Sequence, residues 1–237
     1  MKLGIIGALD VEVETLIAKM EHPVCTEHAG SKFYDGTLEG LPVAVVECGV
    51  GKVNAAVCTQ ILCDLYGITH LVNTGIAGSL CAELDIGDLV VSRDVMYHDF
   101  DCTAFSYAYG QVPGTDAAAF PADETLMAYA FAAADQQHIG HARIGRIASG
   151  DQFISSAEAK AAIIEKTQAL CTEMESAAIA QTARRNGVPF AILRAISDKA
   201  DNSAQMDYPT FEAMIARRCA AVTLSLVKAL WESLENP

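Results

Sequence analysis

Residues 2–8 read Lys2-Leu3-Gly4-Ile5-Ile6-Gly7-Ala8, a short apolar run that includes β-branched members. A run of this length and composition predicts a buried strand. Asp10 follows two residues later and is typical of a helix N-cap, which predicts a helix over 11–20. The start of the chain therefore predicts a buried strand that leads directly into a helix.

Strand and helix patterns continue to alternate along the 237 residues. Strands are predicted over 32–38 and 42–48, which form a hairpin, and over 69–74, 88–95, 142–148 and 189–196. Helices are predicted over 53–65, 123–135, a segment from 156, 173–186 and 208–235, with a long ordered loop over 96–121. This alternation predicts an α/β fold in a single domain over 1–237, with a central mixed, mostly parallel β-sheet flanked by helices.

The charge balance limits the partners of the protein. Asp and Glu number 30 against 16 for Lys and Arg, which gives a net charge of −14 and disfavours nucleic acid and anionic membranes. The N-terminus lacks the apolar core and cleavage site of a signal peptide. No apolar stretch reaches the ~18 residues that a membrane span needs. We therefore expect a cytoplasmic protein with a small ligand.

The eight cysteines are scattered through apolar segments and form no C-x-x-C pair. This pattern favours buried, reduced thiols over a disulfide framework or a zinc site. The six histidines show no metal-binding spacing either. We expect neither a metal ion nor another cofactor.

Polar residues gather where predicted strands end, which is where open α/β sheets bind ligands. The four groups are Gly7-Ala8-Leu9-Asp10-Val11-Glu12, Asn73-Thr74-Gly75-Ile76-Ala77-Gly78, Glu173-Met174-Glu175 and Arg194-Ala195-Ile196-Ser197-Asp198. Each acidic residue alone is compatible with a structural role in a first helical turn or an N-cap. Arg194 is different, because an arginine on an apolar strand needs a carboxylate or ligand partner. The convergence of three carboxylates and one arginine predicts a ligand site.

Five motifs in order resemble the purine nucleoside phosphorylase superfamily, and within it most closely the bacterial 5′-methylthioadenosine/S-adenosylhomocysteine nucleosidases. They are Gly4-Ile5-Ile6-Gly7-Ala8, Asn73-Thr74-Gly75, Ser149-Gly150-Asp151, Glu173-Met174-Glu175-Ser176-Ala177-Ala178 and Arg194-Ala195-Ile196-Ser197-Asp198. Each motif alone is modest evidence, whereas five in register over nearly the whole chain are highly specific. The resemblance implies a nucleoside phosphorylase-like fold.

The resemblance implies hydrolysis of the bond between adenine and ribose in 5′-methylthioadenosine, S-adenosylhomocysteine and 5′-deoxyadenosine. Breaking this bond builds positive charge on the sugar and negative charge on the purine. By similarity, Asp198 would be the general acid to adenine, and Glu12 would activate the water with help from Arg194. Glu175 would bind the ribose hydroxyls and favour the cationic sugar.

The resemblance also implies substrate contacts around these four residues. Met174 would pack on the sugar, Phe153 would stack on adenine, and backbone groups of Phe153 or Ile154 would read the adenine edge. A plain core phenylalanine at 153 is almost as compatible with the sequence. Ile76 stands where several relatives have serine, so a hydroxyl contact is lost there. The implied contacts are Val50, Ile76, Ala77, Gly78, Phe153, Ile154, Glu173, Met174 and Ser197.

The long loop is expected to complete the site of a second subunit. Members of the resembled family are homodimers in which this loop reaches into the neighbour's site. Carried over, Phe105, Tyr107 and Pro113 would wall the apolar 5′-alkylthio pocket of the other subunit. Aromatic residues in such a loop also favour an interface over open solvent. We therefore expect a homodimer that binds small adenine nucleosides.

Three alternatives remain. A purine nucleoside phosphorylase would use phosphate, but Ala8-Leu9-Asp10-Val11-Glu12 is acidic where such enzymes often carry an arginine. An aminodeoxyfutalosine hydrolase of menaquinone synthesis stays open, because its site is nearly the same. A non-catalytic nucleoside-binding protein on this fold is the third alternative, since a fold alone never proves activity.

Overall fold

Strands and helices alternate along residues 1–137 and 140–235, which the computed structural model describes. The strands are β1 (Leu3–Gly7), β2 (Glu21–His28), β3 (Ser31–Leu38), β4 (Leu41–Glu47), β5 (His70–Ser79), β6 (Leu89–Tyr97), β7 (Ala119–Pro121), β8 (Ala142–Ser149), β9 (Cys171–Glu173) and β10 (Phe190–Asp198). The helices are α1 (Asp10–Ala18), α2 (Lys52–Tyr66), α3 (Glu124–Gln136), α4 (Ala157–Thr167), α5 (Ser176–Arg185) and α6 (Ala204–Glu235), with a 3₁₀ turn at Thr103–Phe105.

The strands form one mixed sheet in the order β10-β6-β8-β9-β5-β1-β4-β3-β2, with β7 on β6. Strand β1 pairs in parallel with β4 and β5, and β5 pairs in parallel with β10. Because β10 also pairs with β6, the strands β10, β6, β8, β9 and β5 close into a ring. The predicted single-domain α/β fold with a central mixed sheet is confirmed, although antiparallel pairings are more numerous than the sequence indicates.

The core lies on both faces of the sheet. Successive residues of β1 point to opposite faces, so Ile5 belongs to one apolar cluster and Ile6 to the other. Helix α6 packs against α1 and α3, and α2 packs against α5. Burial on both sides explains why β1 is continuously apolar. No helix in the described ranges has the length and apolar character of a membrane span.

Several predicted boundaries are wrong. Strand β2 was not predicted, because its mostly exposed residues carry no apolar period and it is held by pairing with β3. The strand predicted over 69–74 continues to Ser79 as β5, because pairing with β10 extends it through residues 75–78. Glu173 ends β9 rather than starting a helix. Helix α6 begins at Ala204 and contains Pro209. Cys25 on β2 is exposed, contrary to the prediction of buried thiols.

The predicted loop over 96–121 is partly regular. Strand β6 extends to Tyr97, and residues 119–121 pair with it as β7. The segment between them contains the 3₁₀ turn and no other helix or strand among its residues, all of which are described. The loop therefore returns to the sheet at both ends and projects only in its middle.

Candidate active site

A cavity of about 380 Å³ lies at the ends of β1, β5, β9 and β10. The parallel pairing of β1, β5 and β10 brings their carboxyl ends to the same edge, which places the sequence motifs together. Twelve residues singled out from the sequence line the cavity. They are Glu12, Val50, Ile76, Ala77, Gly78, Phe153, Ile154, Glu173, Met174, Glu175, Ser197 and Asp198.

Four of the predicted site residues do not line this cavity. Arg194 is only 1% exposed and lies behind the carboxylates. Phe105 is 77% exposed on the loop after β6, and Tyr107 and Pro113 follow on the same loop. Their placement leaves them free for the predicted role in a second subunit, which stays a prediction.

Glu12 is fixed by backbone groups at the start of α1. Its Oε2 accepts hydrogen bonds from the N–H groups of Ala8 (2.6 Å) and Leu9 (3.0 Å), and its Oε1 accepts one from Ile76 (2.9 Å). Burial raises the pKa of Glu12, although the Arg194 charge and these N–H groups act in the opposite direction. Glu12 is therefore a precisely placed carboxyl group that can take up a proton more readily than an exposed one.

Gly75 is required by the close approach of two charged groups. A β-carbon at this position would collide with Oε1 of Glu12 and with Nη1 of Arg194. Glycine therefore lets the strand pass directly beneath the carboxylate and the guanidinium.

Arg194 organises the polar groups behind the cavity. Its Nη2 donates to Asn73 Oδ1 at 2.6 Å, to Glu173 Oε2 at 2.7 Å and to Ser176 Oγ at 3.0 Å. Burial disfavours the charged guanidinium, but the surrounding glutamates outweigh it and raise the pKa of Arg194. The prediction that Arg194 needs a carboxylate partner therefore agrees with the geometry.

Hydrogen-bond donors hold both carboxylate oxygens of Glu173. Its Oε1 accepts from the hydroxyl of Ser149, and its Oε2 accepts from the N–H groups of Glu175 (3.1 Å) and Ser176 (2.9 Å) as well as from Arg194. Burial opposes ionisation, but Arg194 and these hydrogen bonds prevail and hold the pKa of Glu173 below its ordinary value. This carboxylate is a fixed negative charge at the start of α5.

Glu175 differs from Glu173 although only one residue separates them. Its Oε1 accepts a hydrogen bond from the Gly51 N–H at 2.8 Å, and its Oε2 lies 4.0 Å from Nη2 of Arg194. Burial, with repulsion from Glu173, raises the pKa of Glu175 to about 8. Glu175 lines the cavity, and its raised pKa favours the protonated carboxyl group more than in an exposed glutamate.

Asp198 closes the cavity at the end of β10, in register with Gly78 of β5. Its Oδ1 accepts from the Ala200 N–H at 2.8 Å, and its Oδ2 is 2.9 Å from the hydroxyl of Ser197. Burial raises the pKa of Asp198, although both hydrogen bonds act to lower it. A carboxyl group with this preference can carry a proton to a ligand.

Five residues that line the cavity were not among the predicted catalytic and substrate-contact residues, although Ala8 and Leu9 belong to a strand-end group that the sequence indicates. They are Ala8, Leu9, Gln152, Thr172 and Tyr208. Tyr208 comes from the first turns of α6, and its ring meets the ring of Phe153 edge to face, with centroids 5.4 Å apart. Phe153 itself is 49% exposed, so it is not a plain core residue. No local sequence pattern marks Tyr208 as a site residue, because only the packing of α6 in the folded chain brings it next to Phe153.

The cavity combines apolar side chains with several carboxyl groups. Four carboxyl groups line it and one buried guanidinium lies behind it. Such a site favours a ligand that develops positive charge and disfavours a phosphate dianion. In the described part of the chain, no cluster of three or more His, Cys, Asp or Glu side chains could hold a metal ion. The arrangement therefore suits proton transfer at an uncharged organic ligand.

Known proteins share this sequence and fold. Residues 2–228 match the Phosphorylase superfamily. A 5′-methylthioadenosine/S-adenosylhomocysteine nucleosidase of Halalkalibacterium halodurans is 42% identical over 97% of this chain and 99% of that protein. The crystal structure of the nucleosidase of that name from Neisseria meningitidis, in complex with methylthio-immucillin-A, has a TM-score of 0.93. The two chains are 37% identical, and their alignment covers 96% of this chain and 99% of the Neisseria chain.

A futalosine hydrolase has a similar structure. The Helicobacter pylori protein is 33% identical, covers 97% of this chain and 98% of that chain, and has a TM-score of 0.90. The two nucleosidases above are more similar in sequence, at 42% and 37% identity, and their coverage is comparable. The chain belongs to the phosphorylase superfamily and, within it, to the family of the 5′-methylthioadenosine/S-adenosylhomocysteine nucleosidases.

Proposed function

We propose that the protein hydrolyses the N-glycosidic bond of 5′-methylthioadenosine and S-adenosylhomocysteine, and of 5′-deoxyadenosine, releasing adenine and the 5′-substituted ribose. The observation that carries this proposal is that Glu12, Glu175 and Asp198 line one and the same cavity. Full-length similarity to nucleosidases of that name supports the choice of substrates. No cofactor is needed, because water and side-chain carboxyl groups supply the chemistry.

Asp198 is the general acid in this proposal. The bond between the anomeric carbon and adenine N9 breaks, and its electron pair passes into the purine. Asp198 delivers a proton to N7, so adenine leaves as a neutral base. Burial, which raises the pKa of Asp198, supports this role because it favours the protonated carboxyl group.

Glu12 is the general base. Water attacks the anomeric carbon, and Glu12 accepts the proton that the water loses. The three backbone N–H groups on Glu12 support this role, because they fix both carboxylate oxygens while Oε1, which accepts only one of the three hydrogen bonds, retains a free lone pair for the water. Arg194 acts from behind, since it contacts Glu173 and Asn73 and does not line the cavity.

The remaining contacts orient the nucleoside. Glu175 accepts the ribose hydroxyls, and its charge stabilises the cationic sugar more than the neutral substrate. Met174 packs on the sugar. Phe153 stacks on adenine, with its edge-to-face contact to Tyr208 holding the ring in place. The backbone of Phe153 or Ile154 reads the adenine edge.

The chain is proposed to act as a homodimer in the cytoplasm, with Phe105, Tyr107 and Pro113 completing the neighbour's 5′ pocket. The 77% exposure of Phe105 supports this assembly, because it leaves the ring available to contact a second subunit. The eight free cysteines suit a reducing compartment. Cleavage of 5′-methylthioadenosine would place the enzyme in methionine salvage.

Aminodeoxyfutalosine hydrolysis is the second candidate. The Helicobacter pylori futalosine hydrolase supports it through a TM-score of 0.90 at 33% identity. The chemistry at the glycosidic bond would be the same, and only the 5′ group would differ.

The test is adenine release from purified protein with 5′-methylthioadenosine, with and without phosphate. We expect rapid release in phosphate-free buffer with free methylthioribose as the second product. Release only with phosphate would replace the hydrolase by a phosphorylase and remove the role of Glu12. Release from aminodeoxyfutalosine alone would establish the second candidate.

A further inference from the structure

Lys52, the first residue of α2, joins three loops beside the cavity. Its Nζ lies 2.6 Å from Oδ2 of Asp99 and 3.6 Å from Oδ2 of Asp151. It also lies 5.4 Å from the centre of the Tyr97 ring. Asp99 follows β6 and Asp151 follows β8. One ammonium group thus ties together segments that are about 50 and 100 residues away from it along the chain.

Two backbone N–H groups also donate hydrogen bonds to the aspartates of this cluster. Oδ2 of Asp99 also accepts from the Asp151 N–H at 2.9 Å, and Oδ1 of Asp151 accepts from the Lys52 N–H at 2.9 Å. Burial raises the pKa of Asp99, but Lys52 and the Asp151 N–H prevail and hold it below its ordinary value. Asp99 is therefore ionised at neutral pH and forms a charge-assisted contact with Lys52.

The cluster is adjacent in sequence to two parts of the proposed site. Gly51, which precedes Lys52, has a φ of 98° and donates its N–H to Glu175 at 2.8 Å. Asp151 begins the short segment that carries Phe153 and Ile154 into the cavity. Neither Lys52 nor Asp99 nor Asp151 lines the cavity. Any effect of the cluster on a ligand therefore passes through these neighbours.

We infer that Lys52, with Asp99 and Asp151, is a positioning residue that holds the Gly51 N–H on Glu175 and the Phe153 segment at the cavity. Its effect on turnover rests on the proposed function, whereas its effect on Gly51 does not. Without the ammonium group, the two aspartates repel each other and the loop that carries Gly51 loses its tie.

Replacement of Lys52 would change the pKa of Glu175. It faces Arg194 from β10, Glu173 from β9 and Glu12 from α1, and the Gly51 N–H is its backbone donor. Removing that donor takes away a stabilising contact from ionised Glu175, so its pKa rises further. Because the charge acts on the cationic sugar of the transition state, kcat falls more than KM rises.

The experiment compares Lys52→Met, Lys52→Arg and a matched control, Lys2→Met. Methionine keeps an apolar stem against Tyr97 and removes the charge. Lys2 is as exposed as Lys52 at 24%, lies 2.7 Å from Asp35 and faces the Tyr66 ring at 6.0 Å, away from the cavity. Melting temperatures measured alongside show that each variant is folded.

We expect Lys52→Met to lower kcat for 5′-methylthioadenosine by about tenfold to a hundredfold, the range for a hydrogen bond to a charged group. The rise of kcat/KM with pH should also move to higher pH, because Glu175 ionises later. Lys52→Arg should recover most of the rate, and Lys2→Met should match the wild type. A Lys52→Met enzyme with wild-type kcat and pH profile overturns the inference.

Amide hydrogen exchange at Gly51 separates this inference from the proposed function, since it needs no substrate. We expect exchange in Lys52→Met to be about tenfold faster or more than in the wild type and in Lys2→Met. Unchanged exchange overturns the inference even if the wild type cleaves the nucleoside. Faster exchange in a protein that cleaves no nucleoside supports the inference and counts against the proposed function alone.

Discussion

At the scale of single residues, four buried carboxyl groups share one cavity but differ in ionisation. Burial raises the pKa of Glu12, Glu175 and Asp198, whereas Arg194 and several hydrogen bonds hold the pKa of Glu173 low. This difference separates three groups that can exchange a proton from one that stays a fixed charge.

Substitution of the proposed acid or base should remove turnover and leave binding largely intact. We expect Asp198→Asn and Glu12→Gln each to lower kcat by about two to four orders of magnitude, the usual range for general acid–base catalysis. Steady-state kinetics together with calorimetric binding of a non-cleavable nucleoside analogue would measure both effects. Near-normal turnover in either variant would contradict the role of that residue.

The raised pKa of Glu175 predicts a stability effect that depends on pH. Between the ordinary value of 4.5 and about 8, the folded state holds more protons at this group than the unfolded state, so ionisation of Glu175 costs stability as pH rises. Glu175→Gln stays neutral and retains an acceptor for Gly51. The melting temperature of the variant relative to the wild type should therefore increase from about pH 5 to about pH 8.

The control for this measurement is Glu27→Gln on the exposed strand β2. The difference in melting temperature between this variant and the wild type should stay constant over the same pH range. A constant difference between Glu175→Gln and the wild type would show that Glu175 titrates as an exposed glutamate does.

At the scale of elements, the start of α3 is held by a local side chain that lies away from the site. Asp123 accepts a hydrogen bond from the Leu126 N–H at 2.9 Å and begins α3, which lines no part of the cavity. Asp123→Ala should reduce the free energy of unfolding by about 1 kcal/mol and leave kcat unchanged. Thermal melts would measure this loss. Asp123→Asn, which preserves a cap, should retain stability, and equal losses in both variants would exclude capping as the cause.

At the scale of the whole molecule, the loop after β6 is the part proposed to contact a second subunit. If Phe105 walls the neighbour's 5′ pocket, Phe105→Ala should raise KM for 5′-methylthioadenosine about tenfold, the effect of losing a large apolar contact. KM for adenosine, which lacks the apolar 5′ group, should change little. Sedimentation would report the oligomeric state in parallel, and unchanged kinetics would place the loop elsewhere.

Much of the fold was predictable because its signals are local. The apolar run of β1 depends on neighbouring residues alone. The predicted N-cap at Asp10 is wrong by one residue, because Leu9 occupies the cap position and Asp10 is the first residue of α1. The site residues could be predicted from the sequence for a different reason. Glu175 and Asp198 lie in two of the motifs that carry the family resemblance, and Glu12 follows a third, Gly4-Ile5-Ile6-Gly7-Ala8, by four residues. Parallel strands must also bring their carboxyl ends to one edge of the sheet.

By itself, the sequence determined the alternation of strands and helices, the acidic character of the strand ends and the need of Arg194 for a carboxylate. Only the tertiary structure decided that β10 pairs with β5, that Arg194 lies behind the cavity, and that Tyr208 reaches Phe153. The physical reason is that periodicity and capping depend on neighbouring residues. Strand closure and the partners of buried charges depend on how segments far apart in sequence pack together.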